Sequence, residues 1–254
     1  MKCGFTSILI IVIAISLFLI ISECGGKKEG DLPLLSPVAT YKIDIPETSD
    51  LCFGSTKDIL YTVSDNTGKV YKINITGKVL AEFQYTGNDL EGVCFVDNNF
   101  VYVAEERLRR IIKLDSQGIY LGQKDIPVEN NIENNGIEGI SFATFNQHFY
   151  IVNETNPGLL IETDKNLNFI KDYPLTFAND YSGICVDNIN QNLWILSDLS
   201  ASVNQCNMQG ELIKSYGIPV NNPEGIAYNP GDSLLYIVSD LESRLYKFDL
   251  KMNK

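Results

Sequence analysis

From Val38 onward, apolar and polar residues alternate in short runs, and no stretch keeps the 3.6-residue period of an amphipathic helix. The runs come in sets. Five sets open at equivalent points: "SDLCF" at Ser49, "EGVCF" at Glu91, "EGISF" at Glu138, "SGICV" at Ser182 and "EGIAY" at Glu224. The intervals are 42, 47, 44 and 42 residues, and the long one contains a polar insertion, "VENNIENNG", Val128 to Gly136. A second run follows each opening: "ILYTVSD", "FVYVAEE", "HFYIVNE", "NLWILSD" and "LLYIVSD". Third runs such as "KVYKIN" and "RIIKLD" come next, then fourth runs such as "VLAEFQY" and "FIKDYPL". Alternating β-branched and aromatic residues between Gly, Asn and Asp turns predict strands joined by hairpins.

Four short strands per roughly 40 residues is the period of a β-propeller blade. The sequence therefore predicts an all-β fold, a five-bladed β-propeller of four-stranded blades. The fifth repeat ends at "KFDLKMNK" and lacks a fourth strand. "VATYKIDI", Val38 to Ile45, can supply it, completing the last blade and closing the ring. Closure removes the open edges that invite aggregation.

A chain of 254 residues suits one all-β domain, and 44% hydrophobic residues suffice for a core. The net charge of −12 argues against a nucleic-acid partner, which needs clustered Lys and Arg, and is compatible with cations. Phe5 to Ser22 carries no charge and reads as a secretory signal or an N-terminal membrane anchor. The following "SECGG" resembles a bacterial lipoprotein signal with Cys24 as the lipidated residue, although Glu23 stands where such signals carry a small one. The organisation is then a signal or anchor over 1–23, a tether over 24–36 and a propeller over 37–254. Either reading exports the domain and ties it to a membrane of the cell envelope.

The repeat register assigns the remaining residues. Cys52, Cys94 and Cys185 fall at one position, where the other repeats have Ser141 and Ala227. A small residue near a crowded axis explains them better than disulfides. Tyr61, Tyr102, Tyr150, Trp194 and Tyr236 form one aromatic row in the second strands. Asp65, Glu106, Glu154, Asp198 and Asp240 end those strands and are expected to tie down turns through backbone N–H groups. His148, the single histidine, reads as a surface turn residue.

The entry position of the first strand carries the candidate chemistry: Ser49, Glu91, Glu138, Ser182 and Glu224. In a propeller the first strands line the central channel, so these five side chains converge at one mouth. Three carboxylates there repel one another and must hold a proton, a cationic side chain or a metal. The repeats offer no Lys or Arg in this register. A hard cation bound through oxygen, such as Ca²⁺, is one solution. The other is that each Glu caps a turn. Gly92, Gly139, Gly183 and Gly225 permit close backbone approach beside them.

"DLEGVCF", "GIEGISF", "YSGICVD" and "PEGIAYN", with "LYTVSDNTGKVYKIN" and "LYIVSDLESRLYKFDL", resemble the SdiA-regulated (YjiK-like) family. The resemblance implies an exported five-bladed propeller, distantly similar to NHL-repeat proteins, with a calcium site. On this chain the matching positions are Glu91, Glu138 and Glu224. Two functional readings stand: a calcium-binding module that presents loops to an envelope protein or small ligand, and a metal-dependent hydrolase of the lactonase or esterase kind using the channel carboxylates.

Overall fold

The computed structural model describes residues 32–128 and 135–252. The apolar leader, Cys24, most of the tether and most of the 128–136 insertion lie outside the described residues. Among the described residues, no helix is long and apolar enough to cross a membrane.

Among the described residues every regular element is a strand. β1 (Pro37–Lys42) precedes the repeats. The first repeat supplies β2 (Thr48–Phe53), β3 (Ile59–Ser64), β4 (Lys69–Asn74) and β5 (Val79–Glu82). The second supplies β6 (Leu90–Val96), β7 (Phe100–Glu105), β8 (Arg110–Asp115) and β9 (Tyr120–Asp125). The third supplies β10 (Ile137–Ala143), β11 (His148–Asn153), β12 (Leu159–Thr163) and β13 (Phe169–Pro174). The fourth supplies β14 (Gly183–Asp187), β15 (Asn192–Ser197), β16 (Ser202–Cys206) and β17 (Leu212–Gly217). The fifth supplies β18 (Pro223–Asn229), β19 (Leu234–Ser239) and β20 (Arg244–Asp249).

These strands form five antiparallel four-stranded sheets, each a meander of one repeat. The fifth is closed by β1, which pairs with β20. The closing strand ends at Lys42 rather than Ile45. Beyond it, Ile43 and Ile45 are buried between the first and fifth blades. Upstream, Leu34 bridges Gly217, and Leu35 is fully buried between the fourth and fifth blades.

Burial follows position in the blade. The second strands β3, β7, β11, β15 and β19 each bury five of six residues, because both faces are covered by neighbouring blades. The aromatic row Tyr61, Tyr102, Tyr150, Trp194 and Tyr236 is buried throughout. Outer strands such as β5, β9 and β13 are largely exposed. Five hydrophobic clusters result, one in each interface between adjacent blades. The core is thus a ring of interfaces, which leaves the axis free for other groups.

Candidate functional site: an acidic mouth on the propeller axis

Each innermost strand faces the axis with one edge, and its N–H groups there have no neighbouring strand. Four of these strands also carry an extra residue that breaks the pairing register: Asp50 in β2, Glu91 in β6, Glu138 in β10 and Glu224 in β18. A bulge re-aims its side chain and leaves it unpaired in the ladder. Glu91, Glu138 and Glu224 are thereby turned towards one end of the axis.

That end is a cavity of about 280 Å³. All five entry residues, Ser49, Glu91, Glu138, Ser182 and Glu224, line it. Ser49 is hydrogen-bonded to Glu91, and Ser182 Oγ donates to the Pro223 carbonyl at 2.8 Å. The expected convergence is therefore present in the fold.

The second acidic set is corrected by the structure. Asp65, Glu106, Glu154, Asp198 and Asp240 line the same mouth. The turns are tied by the preceding residue instead. Ser64, Ser197 and Ser239 accept the N–H groups of Thr67, Ser200 and Glu242 at 3.1–3.2 Å. In the third blade the Asn153 amide donates to the Thr155 and Pro157 carbonyls. A hydroxyl or amide one residue earlier does the local work, so the acid is free to face the axis. Glu106 accepts an N–H at 2.9 Å, but from Gly136 at the entry of the next blade.

Sequence reasoning missed three further mouth acids, Glu47, Asp89 and Asp180. They stand two residues before the entry positions Ser49, Glu91 and Ser182, a shared register just ahead of the opening runs. Asp89 and Asp180 are buried and accept the N–H groups of Arg107 and Leu199 from the adjoining turns. Arg107 Nε lies 3.1 Å from Asp89 Oδ2 and is the one basic side chain on the mouth among the described residues.

Eleven carboxylates thus face one guanidinium. Burial and crowding raise the pKa values of the innermost of these acids. Burial, followed by the charges of Asp198 and Asp240, pushes Glu224 up to about 8. Burial raises Glu106 to about 7, against the Gly136 N–H, which lowers it. Burial first, and neighbouring carboxylates after it, hold Glu91 and Glu138 well above the usual carboxylate range. Two groups of three are tight: one oxygen each of Asp65, Asp89 and Glu91 lies within 4.8 Å of the others, and the same holds for Glu106, Glu138 and Glu154. The donors are all oxygen, which fits a hard divalent cation and no soft metal.

Asp50 occupies the axis below the mouth. It is fully buried, and its Oδ2 accepts the Val93 N–H at 2.9 Å. The N–H groups of Leu51, Ile140 and Ile226 face the same carboxylate, while Oδ1 closes no hydrogen bond. Gly92, Gly139, Gly183 and Gly225 surround this point. A Cβ on Gly225 would lie 2.4 Å from the Asp50 carbonyl carbon, and one on Gly139 would lie 3.1 Å from the Gly183 Cα. The glycines are needed for close approach.

Below Asp50 lies a second cavity of about 170 Å³, lined by Cys52, Cys94, Ser141 and Cys185 of the small-residue position. Cys185 Sγ accepts the Tyr228 N–H at 3.3 Å, and Ser141 Oγ accepts the Val186 N–H at 3.0 Å. Cys52 and Cys94 face the N–H groups of Phe95 and Phe142 in the same way. The thiols therefore satisfy edge N–H groups of the next blade, beyond being merely small. All four described cysteines are free.

His148 is also corrected. It opens β11, and its Nδ1 lies 2.7 Å from Glu162 Oε1, which also accepts the Tyr150 hydroxyl at 3.0 Å. Tyr150 and Glu162 are cross-strand partners, which places the imidazole on the diagonal beside them. This network lies in the third blade's sheet, away from the mouth.

Fold and site define a five-bladed propeller with an acidic cavity at one end of its axis. The family model described as SdiA-regulated matches residues 37–249, and the chain belongs to that family. Its fold is similar to that of the glutaminyl cyclase of Myxococcus xanthus (TM-score 0.70, 11% identity, 86% of this chain and 97% of that one). It is also similar to Kuenenia stuttgartiensis hydrazine synthase (TM-score 0.52, 15% identity, 77% and 56%) and a streptogramin B lyase (TM-score 0.51, 19% identity, 79% and 65%). At these identities the likeness is one of fold.

Proposed function

We propose that this chain is an exported, membrane-tethered propeller that binds calcium in its acidic mouth and presents the surrounding loops to an envelope protein or small ligand. The observation that carries the reading is the set of buried and half-buried carboxylates that converge on the axis. Glu91, Glu138 and Glu224 stand on three innermost strands, and no lysine lines the mouth with them. Like charges held this way favour either shared protons or a cation. Oxygen-only donors, with serines and backbone carbonyls at hand, suit Ca²⁺. The tether follows from Phe5–Ser22 and Cys24 in the sequence.

The test is metal analysis of the purified full chain, with thermal melting in EDTA and in Ca²⁺. Bound calcium and a calcium-dependent rise in Tm are expected. No metal and no shift would remove the premise.

A second reading, hydrolysis of a lactone or ester, is favoured by one observation. Glu224 belongs to neither tight group of three and titrates at about 8, near the pH where a general base works best. A bound cation would supply polarisation of the carbonyl. Turnover of a lactone that Glu224→Gln abolishes would establish this reading; calcium binding without turnover leaves the binding module.

A further inference from the structure

Lysines gather in one cleft of an otherwise acidic molecule. Two cavities of about 270 and 160 Å³ lie between the second and third blades, and none of their residues lines the mouth. They share Tyr102, Lys113, Lys165 and Asn166 in their walls and so form one cleft. Lys124 lines the larger cavity and Asp97 the smaller. Three lysines less one aspartate leave the cleft with two positive charges, on a chain whose net charge is −12. Among the described residues none of the three lysines forms an ion pair.

Separate elements bring these groups together. Lys113 stands on β8 opposite Tyr102 of β7 and Gly122 of β9. Its Nζ lies 4.0 Å from the centre of the Phe100 ring and 5.5 Å from that of Tyr102. Lys124 reaches across to the third blade, where its Nζ donates to Asn168 Oδ1 at 3.3 Å. Lys165 and Leu167 lie on the hairpin between β12 and β13. A lysine stem on an aromatic face is ordinary packing. Gly122 is an independent sign of a ligand. The fourth strands of the first, third and fourth blades shift register at the same point and carry Ala81, Lys171 and Lys214 where β9 carries Gly122. The irregularity itself therefore does not call for a glycine. Gly122 has a φ of +153°, and a Cβ built on it would meet nothing within 4 Å. A glycine inside a strand often marks a close approach, and here no group of the protein makes one. Gly122 instead lines the larger cavity of the cleft.

We infer that this cleft binds an organic phosphate, its phosphate held by Lys113, Lys124 and Lys165 and its apolar part set against Tyr102, Ile111 and Leu167. A phosphate monoester carries about −1.5 to −2 charges at neutral pH, which matches the charge of the cleft. Ammonium groups serve phosphate as point charges, and the Asn166 amide is a neutral donor beside them. The site is separate from the mouth and does not depend on a cation there.

The experiment is calorimetric titration of phenyl phosphate into the full chain in non-ionic detergent with EDTA, so that no cation in the mouth can hold the phosphate. One saturable site is expected. Lys113→Gln and Lys165→Gln should each weaken it about tenfold or more, the loss of one charge-assisted contact. Lys247→Gln should leave it unchanged; that lysine holds the matching place in the fifth blade, 5.9 Å from the centre of the Tyr236 ring. Lys165 is exposed, so its variant keeps the test valid should Lys113→Gln fail to fold. No binding, binding that either cleft variant leaves at full strength, or an equal loss with Lys247→Gln overturns the inference. Dihexanoylphosphatidylglycerol, titrated in the same way, separates the sources of phosphate. Tighter binding than phenyl phosphate assigns a lipid headgroup, and weaker binding assigns a free molecule. Failure here leaves the calcium reading standing, since metal analysis tests that alone.

Discussion

Asp50 Oδ2, on the innermost strand of the first blade, accepts the Val93 N–H of the second blade at 2.9 Å. This bond joins two sheets that share no ladder. The innermost strands turn their edges to the axis, and a buried N–H left without an acceptor costs about 1–3 kcal/mol. One carboxylate at the crossing point serves Val93 and faces two further blades.

Asp50→Ala is therefore expected to destabilise the protein by about 1–3 kcal/mol or more, since it strands the Val93 N–H and opens a cavity. Urea denaturation followed by fluorescence measures this. A midpoint equal to that of the wild type would show that the axis tolerates unpaired N–H groups.

Gly225→Ala is expected to cost about 1–3 kcal/mol or more by overpacking, because the new Cβ would lie 2.4 Å from backbone at Asp50. The contact is with backbone atoms, so no flexible side chain can yield. Thermal melting of this variant beside Gly231→Ala, where a Cβ meets only the Asn229 side chain at 3.3 Å, separates crowding from a general loss of glycine.

Cys185→Ser is expected to stay within about 1 kcal/mol of the wild type, because a hydroxyl can accept the Tyr228 N–H as Ser141 accepts that of Val186. Cys185→Val keeps a small apolar group but removes the acceptor, and should cost about 1–3 kcal/mol. Equal stabilities for the two variants would mean that only size matters at this position.

The metal-free protein should lose stability as pH rises. Glu224 has its folded pKa raised from 4.5 to about 8, and Glu106 from 4.5 to about 7. A carboxyl group raised in the folded state binds its proton more tightly there than when unfolded. Its contribution is fully present below 4.5 and is lost as pH climbs through the folded value. In EDTA, Tm should therefore fall between pH 4.5 and about 8. Saturating Ca²⁺ should flatten that slope, since a cation replaces the protons. A Tm in EDTA that rises over the same range would refute the assignment.

Glu138→Gln is expected to act in opposite directions with and without metal. Replacing a carboxyl that burial and its neighbours hold well above the usual carboxylate range should stabilise the metal-free chain, most at alkaline pH where the carboxyl would otherwise be forced to ionise. It should also weaken calcium stabilisation, which for the wild type amounts to about 2.7 kcal/mol at a hundredfold excess over Kd. Melting both proteins with EDTA and with Ca²⁺ reads both effects. A uniform loss in the two conditions would mark Glu138 as merely structural.

The sequence by itself determined the blades, their number, the closing strand and the convergence of Ser49, Glu91, Glu138, Ser182 and Glu224. These follow from period and alternation, which recur in every repeat and are local. It also located the aromatic row, since a strand covered on both faces must be apolar along its length. Other features were beyond its reach. Asp50 stands one residue past the aligned position, because the bulge of the first blade is shifted, and a bulge is a property of pairing rather than of composition. The roles of Ser64 and Asp65 could not be separated, because either side chain can tie a turn. Only the fold shows that the hydroxyl does so and the carboxylate turns to the axis. Asp89 and Asp180 stand just before their blades' first strands, and only ring closure gathers them with the acids of the other blades at one mouth. The tertiary structure thus decided how many charges share the mouth, because that number depends on distances across the axis between blades some forty residues apart.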